Sequence, residues 1–470
     1  MLRRFALTAS LPPSPARSLA VALLAAGLVV LPACGGGAQA PAGDTPATES
    51  EADLLARARG IHERVITIDT HDDIPGNFGT PGVMDPGERS ESRQVDLPKM
   101  REGGLDVAFF VVYVGQPRGA NGGLDAEGYA AALDAAMQKF NGIHRLAEEM
   151  YPDEIGLATS ADDVERLVAA GKLVAAIGVE NGYPMGEDLS LIARFKELGA
   201  GYMGITHNGH NQLGDSQTPI WYATEDEPDR PLHGGLSELG RQAVAEMNRQ
   251  GIMVDISHAG RQTMLDALEV SQAPVMASHS SARALRDHGR NLDDEQLRAL
   301  RENGGVIQTV AFASYVKDLD ARDDAIDALR EELGLGGGRG GRGGGRGGGR
   351  GEPEMTAEER TAREAAQAEF DRRMVDIDAR YPTTTVADVV DHVDYMVELI
   401  GIDHVAISSD FDGGGGVEGW DDASETFNVT LELVRRGYTE EEIAKIWGGN
   451  TLRVWREVEQ IGERLRAGGM

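Results

Sequence analysis

Apolar residues in this chain come in short runs that stop abruptly at acids or histidines. The clearest run is 65–73 (VITIDTHDD), β-branched at its start and ending in His71 and Asp73. A strand sheltered on both faces reads as a near-continuous apolar stretch whose polar residues emerge only at its C-terminal rim. His71 and Asp73 stand two apart, so a continuing strand points both side chains the same way. Similar runs begin at Leu105, Leu173, Tyr202, Ile252, Val275, Gly305 and His404, and several end in Glu180, His207, His258, His279 or Asp410. Helical spacing fills the intervals, with predicted helices at 127–150, 188–198, 237–250, 261–268, 293–300, 386–400, 426–436 and 440–447. Ser237 is placed to cap the third of these. Eight strands alternating with helices predict an α/β protein, a closed (β/α)8 TIM barrel; an open, doubly wound sheet is the alternative.

Composition narrows the chemistry. The chain has 470 residues, and a formal net charge of −32 argues against binding a phosphate backbone. Cys34 is the sole cysteine, so no intrachain disulfide forms and the barrel has no thiolate for a metal. Imidazole and carboxylate ligands suit zinc, manganese or iron better than copper(I).

One low-complexity region precedes the domain and another interrupts it. Arg3, Arg4 and Arg17 precede an apolar stretch at 19–31 that is short for a spanning helix, followed by Leu31, Pro32, Ala33 and Cys34. This L-P-A-C arrangement resembles a bacterial lipobox, which implies a signal peptide at 1–33, lipid attachment at Cys34 and a flexible tether over 34–50. The expected location is then extracytoplasmic, in the cell membrane or the outer membrane on its periplasmic side; an ordinary secretory signal is the plainer alternative. Residues 51–470 are the expected barrel domain. Residues 336–351 contain only glycine and arginine, between helical flanks at 321–333 and 356–375. Glycine at this density cannot offset the entropy of ordering, so a disordered insertion between strands seven and eight is expected rather than a nucleic-acid-binding tract. No nucleic acid is expected as a partner.

In a barrel the strand ends share one rim, which would gather His71, Asp73, Glu180, His207, His258, His279 and Asp410. A single histidine there is usually a satisfied rim residue. Seven such groups together would repel and lose hydration, a conflict that one or two divalent cations resolve. Arg283, Arg286 and Arg290 follow the His279 strand as candidate clamps for a carboxylate, and pattern alone does not choose among them.

Several pieces carry a resemblance: DTHDD at 69–73, IGVENG at 177–182, ITHNGHN at 205–211, GLSELG at 235–240 and DISH at 255–258. APVMASHSSARAL at 273–285, GRN at 289–291, SDFDG at 409–413 and GGNTLRV at 448–454 continue it in order. Together they resemble the membrane (renal) dipeptidase family, peptidase family M19, among the amidohydrolase-like metal-dependent hydrolases. The resemblance implies a binuclear zinc dipeptidase that attacks small dipeptides, including those with a C-terminal D-residue, with a metal-bridging hydroxide. It makes His71 and Asp73 ligands of the first zinc, Glu180 the bridging carboxylate, and His258 and His279 ligands of the second zinc. His207 takes the oxyanion-stabilising role, Arg290 binds the substrate carboxylate, and Asp410 moves protons and holds the amino group. It also implies a homodimer. Thr70 and Asp72 depart from the glycine and asparagine frequent in the family around the histidine. Hydrolysis of N-acyl amino acids or lactones, or a catalytically silent dipeptide-binding lipoprotein, are the competing readings.

Overall fold

The computed structural model describes residues 49–117, 122–219, 230–336 and 356–468. The expected signal peptide, Cys34 and most of the expected tether lie outside the described residues, as do Trp221 and the glycine–arginine tract beyond Gly336.

Eight strands form the frame: β1 (Ile68–Asp73), β2 (Val107–Tyr113), β3 (Leu173–Glu180), β4 (Ala200–Gly204), β5 (Met253–Asp255), β6 (Met276–Ser280), β7 (Val306–Val310) and β8 (Val405–Ser408). Each pairs in parallel with the next along the chain. β8 returns to β1 through one bridge between Asp72 and Phe411, where the Asp73 N–H donates to the Phe411 carbonyl at 2.8 Å. The result is a nearly closed (β/α)8 barrel. An open doubly wound sheet would reverse its strand order midway, and no reversal occurs.

Alternation along the strands sorts the core into two sets. Ala108, Phe110, Val112, Ala175, Ile177 and Val179 share a cluster with Phe140 and Ile143 of the surrounding helix Ala126–Arg145. Ile68, Val107, Phe109, Val174, Ala176 and Tyr202 face the other way and meet Leu452, Val454 and Trp455 of the terminal helix Asn450–Gly468. That helix plugs the barrel below, which leaves the opposite rim open for chemistry.

Most predicted helices are present, and Ser237 caps Glu238–Gln250 by accepting from the Gly240 N–H at 2.9 Å. Among the elements with no expectation attached are the short strand Ile155–Leu157, which adds to β3, and the helices Leu97–Gly103, Ala161–Ala169 and Ala313–Val316. Some strands are also shorter than their apolar runs. β1 starts at Ile68 rather than Val65, and β5 leaves the ladder three residues before His258. The helices Asp320–Glu332 and Ala357–Arg380 flank the insertion and touch through Arg330 over the Phe370 ring and Arg373 against Glu332.

Candidate metal centre

The rim forms where strands stop, and the backbone there is unusual. The only positive-φ residues other than glycine among those described are Asn181 (74°), His258 (63°), Asp410 (60°) and Asp412 (60°). All four follow the ends of β3, β5 and β8. Left-handed backbone costs an L-residue of order 1 kcal/mol or more and persists where the surroundings over-determine it. Here it turns His258 and Asp410 back over the barrel mouth instead of letting them continue along the strand.

The side chains converge on Glu180. Its Oε1 lies 3.1 Å from His258 Nε2, 3.5 Å from His279 Nε2 and 3.7 Å from His207 Nε2, while its Oε2 lies 3.6 Å from His71 Nε2. His71 Nε2 is also 3.9 Å from Asp73 Oδ2. Three overlapping groups have ligand atoms close enough to share an ion: His71–Glu180–His279, Glu180–His207–His258 and His71–Asp73–Asp410. Every residue expected at the site is therefore brought to one rim, from segments hundreds of positions apart.

Hydrogen bonds behind the imidazoles fix which nitrogen faces inward. The Tyr202 hydroxyl donates its one proton to the Thr70 carbonyl at 3.0 Å, so at the 3.0 Å contact with His71 the histidine Nδ1 is the donor. The Ser278 hydroxyl likewise donates to Asp255 at 2.7 Å and accepts from His279 Nδ1 at 2.8 Å. His258 Nδ1 faces the amide oxygen of Asn208 at 3.3 Å. Each ring thus holds its hydrogen on Nδ1 and presents Nε2 to Glu180, the arrangement in which metal-binding histidines are held. His71 Nε2 is buried with no hydrogen-bond partner, and His258 Nε2 stands only 2.9 Å from His279 Nε2. Two bare nitrogens at that separation repel unless a proton or cation lies between or beside them. The donor set fits divalent cations.

Protonation tells the same story. Burial acts to depress His71, yet Glu180, Asp410 and Asp73 outweigh it and carry the imidazole up to about 9. Burial pushes Asp73 up to about 6 and Asp410 well above the carboxylate range. Burial also holds His258 and His279 well below their ordinary value, and takes His207 down to about 4. Glu180 runs the other way: burial would raise it, but His207 and His71 hold it well below. Carboxylates crowded until some must take protons, with His71 drawn into holding one and the other three imidazoles kept neutral, form a site that cations would stabilise.

The flanking groups divide by side. Arg290 is buried, donates to the His279 carbonyl at 3.1 Å, and lies 5.6 Å from the Tyr315 ring centroid. Arg283 instead pairs with Asp287 at 2.7 Å, and Arg286 faces Asp318 and Asp320 at 3.6 Å. Of the three arginines, Arg290 alone is turned toward the imidazoles. His210 and His233 hold loop carbonyls, and His288 stacks on Tyr315. Asp73, Tyr113, Glu180, His207 and Asp410 line a cavity of about 1040 Å³. A larger one, about 1690 Å³, lies beside it against the insertion helices and includes none of the candidate ligands, so size does not mark the chemistry here. Sequence reasoning missed Tyr202, Tyr315, Lys139 and Arg93. Only Tyr202, inside a strand run, carried any local signal.

A parallel barrel gathering imidazoles and carboxylates at the C-terminal rim defines the class: a metal-dependent hydrolase. The chain belongs to the membrane dipeptidase family, peptidase family M19, which matches residues 55–468. It is similar to Dipeptidase tcpJ of Claviceps purpurea (strain 20.1), 33% identical over 78% of this chain and 70% of that protein. Among solved structures it resembles the probable dipeptidase PvdM from Pseudomonas aeruginosa, at 32% identity and a TM-score of 0.70, covering 88% of this chain and all of that one. A Rhodobacter sphaeroides metallo peptidase, solved with a phosphinate mimic of the dipeptide L-Ala-D-Ala, shares the fold at a TM-score of 0.59 and 23% identity over 84% and 99% of the two chains.

Proposed function

We propose that this chain is a binuclear zinc dipeptidase, exported and held at a membrane by lipid on Cys34. The observation that carries the reading is the convergence of Nε2 atoms from His71, His258 and His279 on the Glu180 carboxylate, each ring backed at Nδ1 by an acceptor. His71 and Asp73 would hold one ion, His258 and His279 the other, with Glu180 shared between them. When bound, such a pair acidifies water and polarises a carbonyl.

The protein's own groups do the rest. Arg290 offers a planar donor fork to the substrate's terminal carboxylate, and Tyr315 packs against that guanidinium. His207, neutral through burial, donates an N–H to the oxygen of the scissile carbonyl as charge builds there. Asp410, ionised once cations offset its acidic neighbours, accepts the proton of the attacking water and delivers it to the departing amine. It also faces the substrate's amino group. A site that answers both termini suits a dipeptide, since a longer chain would leave one charge buried without a partner. Tolerance of a C-terminal D-residue and a homodimeric assembly follow from the family resemblance.

The test is metal content and turnover of purified full-length chain against dipeptides with L- or D-residues at the second position, beside N-acetyl amino acids and lactones. Two zinc ions per chain and dipeptide turnover lost on chelation are expected. Exclusive turnover of the N-acyl compounds, or dipeptide binding without hydrolysis after zinc loading, overturns the assignment. For the anchor, Cys34→Ser should release the protein from membranes; membrane retention in that variant refutes lipid attachment. Light scattering reads the assembly, and a monomer refutes the dimer.

A further inference from the structure

The wall of the cavity beside β1 and β2 carries three cations, Arg93, Lys99 and Lys139. Two are committed. Arg93 donates to the Asp73 carbonyl at 2.9 Å and pairs with Asp412 at 2.8 Å. Lys99 pairs with Asp422 at 3.1 Å and donates to the Arg93 carbonyl. Lys139 differs. It stands on the helix Ala126–Arg145, is 9% exposed, and lies 5.6 Å from the centroid of the Tyr113 ring, which packs 4.4 Å from the His207 ring. Among the described residues its ammonium has neither a hydrogen-bond acceptor nor a carboxylate within ion-pair distance. Asp73 and Glu180, the carboxylates that would be engaged by metal, act on it only from beyond ion-pair distance. The Lys139 ammonium opens on the cavity rather than being sealed in protein, and a cation that lines a cavity without a protein acceptor is a place for an anion.

Position says which anion. Arg290 follows β6 and Lys139 follows β2, four strands apart in a ring of eight and therefore on opposite sides of the mouth. A dipeptide with its terminal carboxylate on Arg290 and its scissile bond over Glu180 directs its first residue toward β1 and β2. We propose that Lys139 reads a carboxylate on that first residue, so that dipeptides with an acidic N-terminal residue are the favoured substrates. This rests on the dipeptidase reading above and adds the side-chain class. Asp410, just past β8, remains available for the amino group, so the two charges of an acidic first residue meet separate partners.

The measurement is kcat/KM for Glu–Ala and Gln–Ala, near-isosteres that differ in charge, with metal-loaded full-length protein. Wild type should favour Glu–Ala by about 10- to 100-fold, the scale of one hydrogen bond to a charged group. Lys139→Met should bring that ratio to within about twofold of unity, and Lys139→Arg should retain most of it. A wild-type ratio at or below one overturns the proposal without any variant, as does a Lys139→Met ratio equal to wild type. Ala–Ala in the same panel tests the dipeptidase reading separately. Should no dipeptide turn over, calorimetric binding of phosphinate analogues of Glu–Ala and Gln–Ala reads the same preference, and equal affinities refute it.

Discussion

Replacing Tyr202 with phenylalanine isolates one oxygen atom that sets the state of a proposed ligand. The tyrosine is fully buried and stacks on Phe109 at 5.6 Å, so the phenylalanine ring keeps its packing. What is lost is the acceptor for His71 Nδ1 and the donor to the Thr70 carbonyl, both at 3.0 Å. Each group left unpaired costs about 1–3 kcal/mol of folding stability. The more specific loss is tautomer control, because an imidazole without a partner on Nδ1 no longer keeps its lone pair on Nε2. Partners of this kind are worth about 10- to 100-fold in metal affinity, or about 1.4–2.7 kcal/mol. Competition between Tyr202→Phe and a chromophoric chelator for zinc should show that loss, with thermal unfolding of the metal-free protein recorded in parallel. Zinc affinity within about twofold of wild type, alongside reduced thermal stability, would refute the tautomer argument and leave Tyr202 as packing alone.

Three further outcomes are expected. Arg290→Met should raise KM for dipeptides by about 100-fold while zinc content stays at wild-type stoichiometry, since the guanidinium touches no proposed ligand side chain; an unchanged KM refutes the clamp. A Cβ on Gly413 would press on the side-chain oxygens of Asp410 and Asp73, flexible groups that can move aside, so Gly413→Ala should fold normally yet lose about tenfold or more in zinc affinity and turnover. Full activity in that variant would show the carboxylates to be less tightly placed than described. Burial, opposed by the Gly103 carbonyl, holds His62 below its ordinary value of 6.5. The native state therefore binds fewer protons than the unfolded chain, and the His62 contribution is present above that value and lost as pH falls below it. The urea-midpoint difference between wild type and His62→Gln should narrow from pH 8 to pH 5, and a constant difference would refute it.

Much of the site was legible because a barrel concentrates its polar side chains where apolar runs stop. His71, Glu180 and His279 stand at or within strand ends, and their runs announced them. His258 and Asp410 were legible for the same reason, although the left-handed turn that aims them was not: nothing in DISH or SDFD distinguishes a strand that continues from one that folds back. The groups behind the ligands had weaker signals. Tyr202 looks like any aromatic in a buried strand, and its pairing with His71 exists only once β1 and β4 face each other across the barrel. Lys139 reads as an exposed position on an alanine-rich helix; its burial comes from the way that helix lies against the mouth. Ile155–Leu157 and Leu97–Gly103 are too short for periodicity to register. The leader, Cys34 and the glycine–arginine tract rest on composition and motif.

The seam between β1 and β8 has a consequence for how the molecule is made. Asp73 and Asp410 flank the one backbone bridge that joins the first strand to the last. A nascent chain that has not yet emerged past Phe411 holds β1 as an open edge and lacks the final wall of the mouth, so pairing there waits for almost the whole polypeptide. The rim that gathers these carboxylates and imidazoles is accordingly complete only at the end of folding, after the last strand has joined the first.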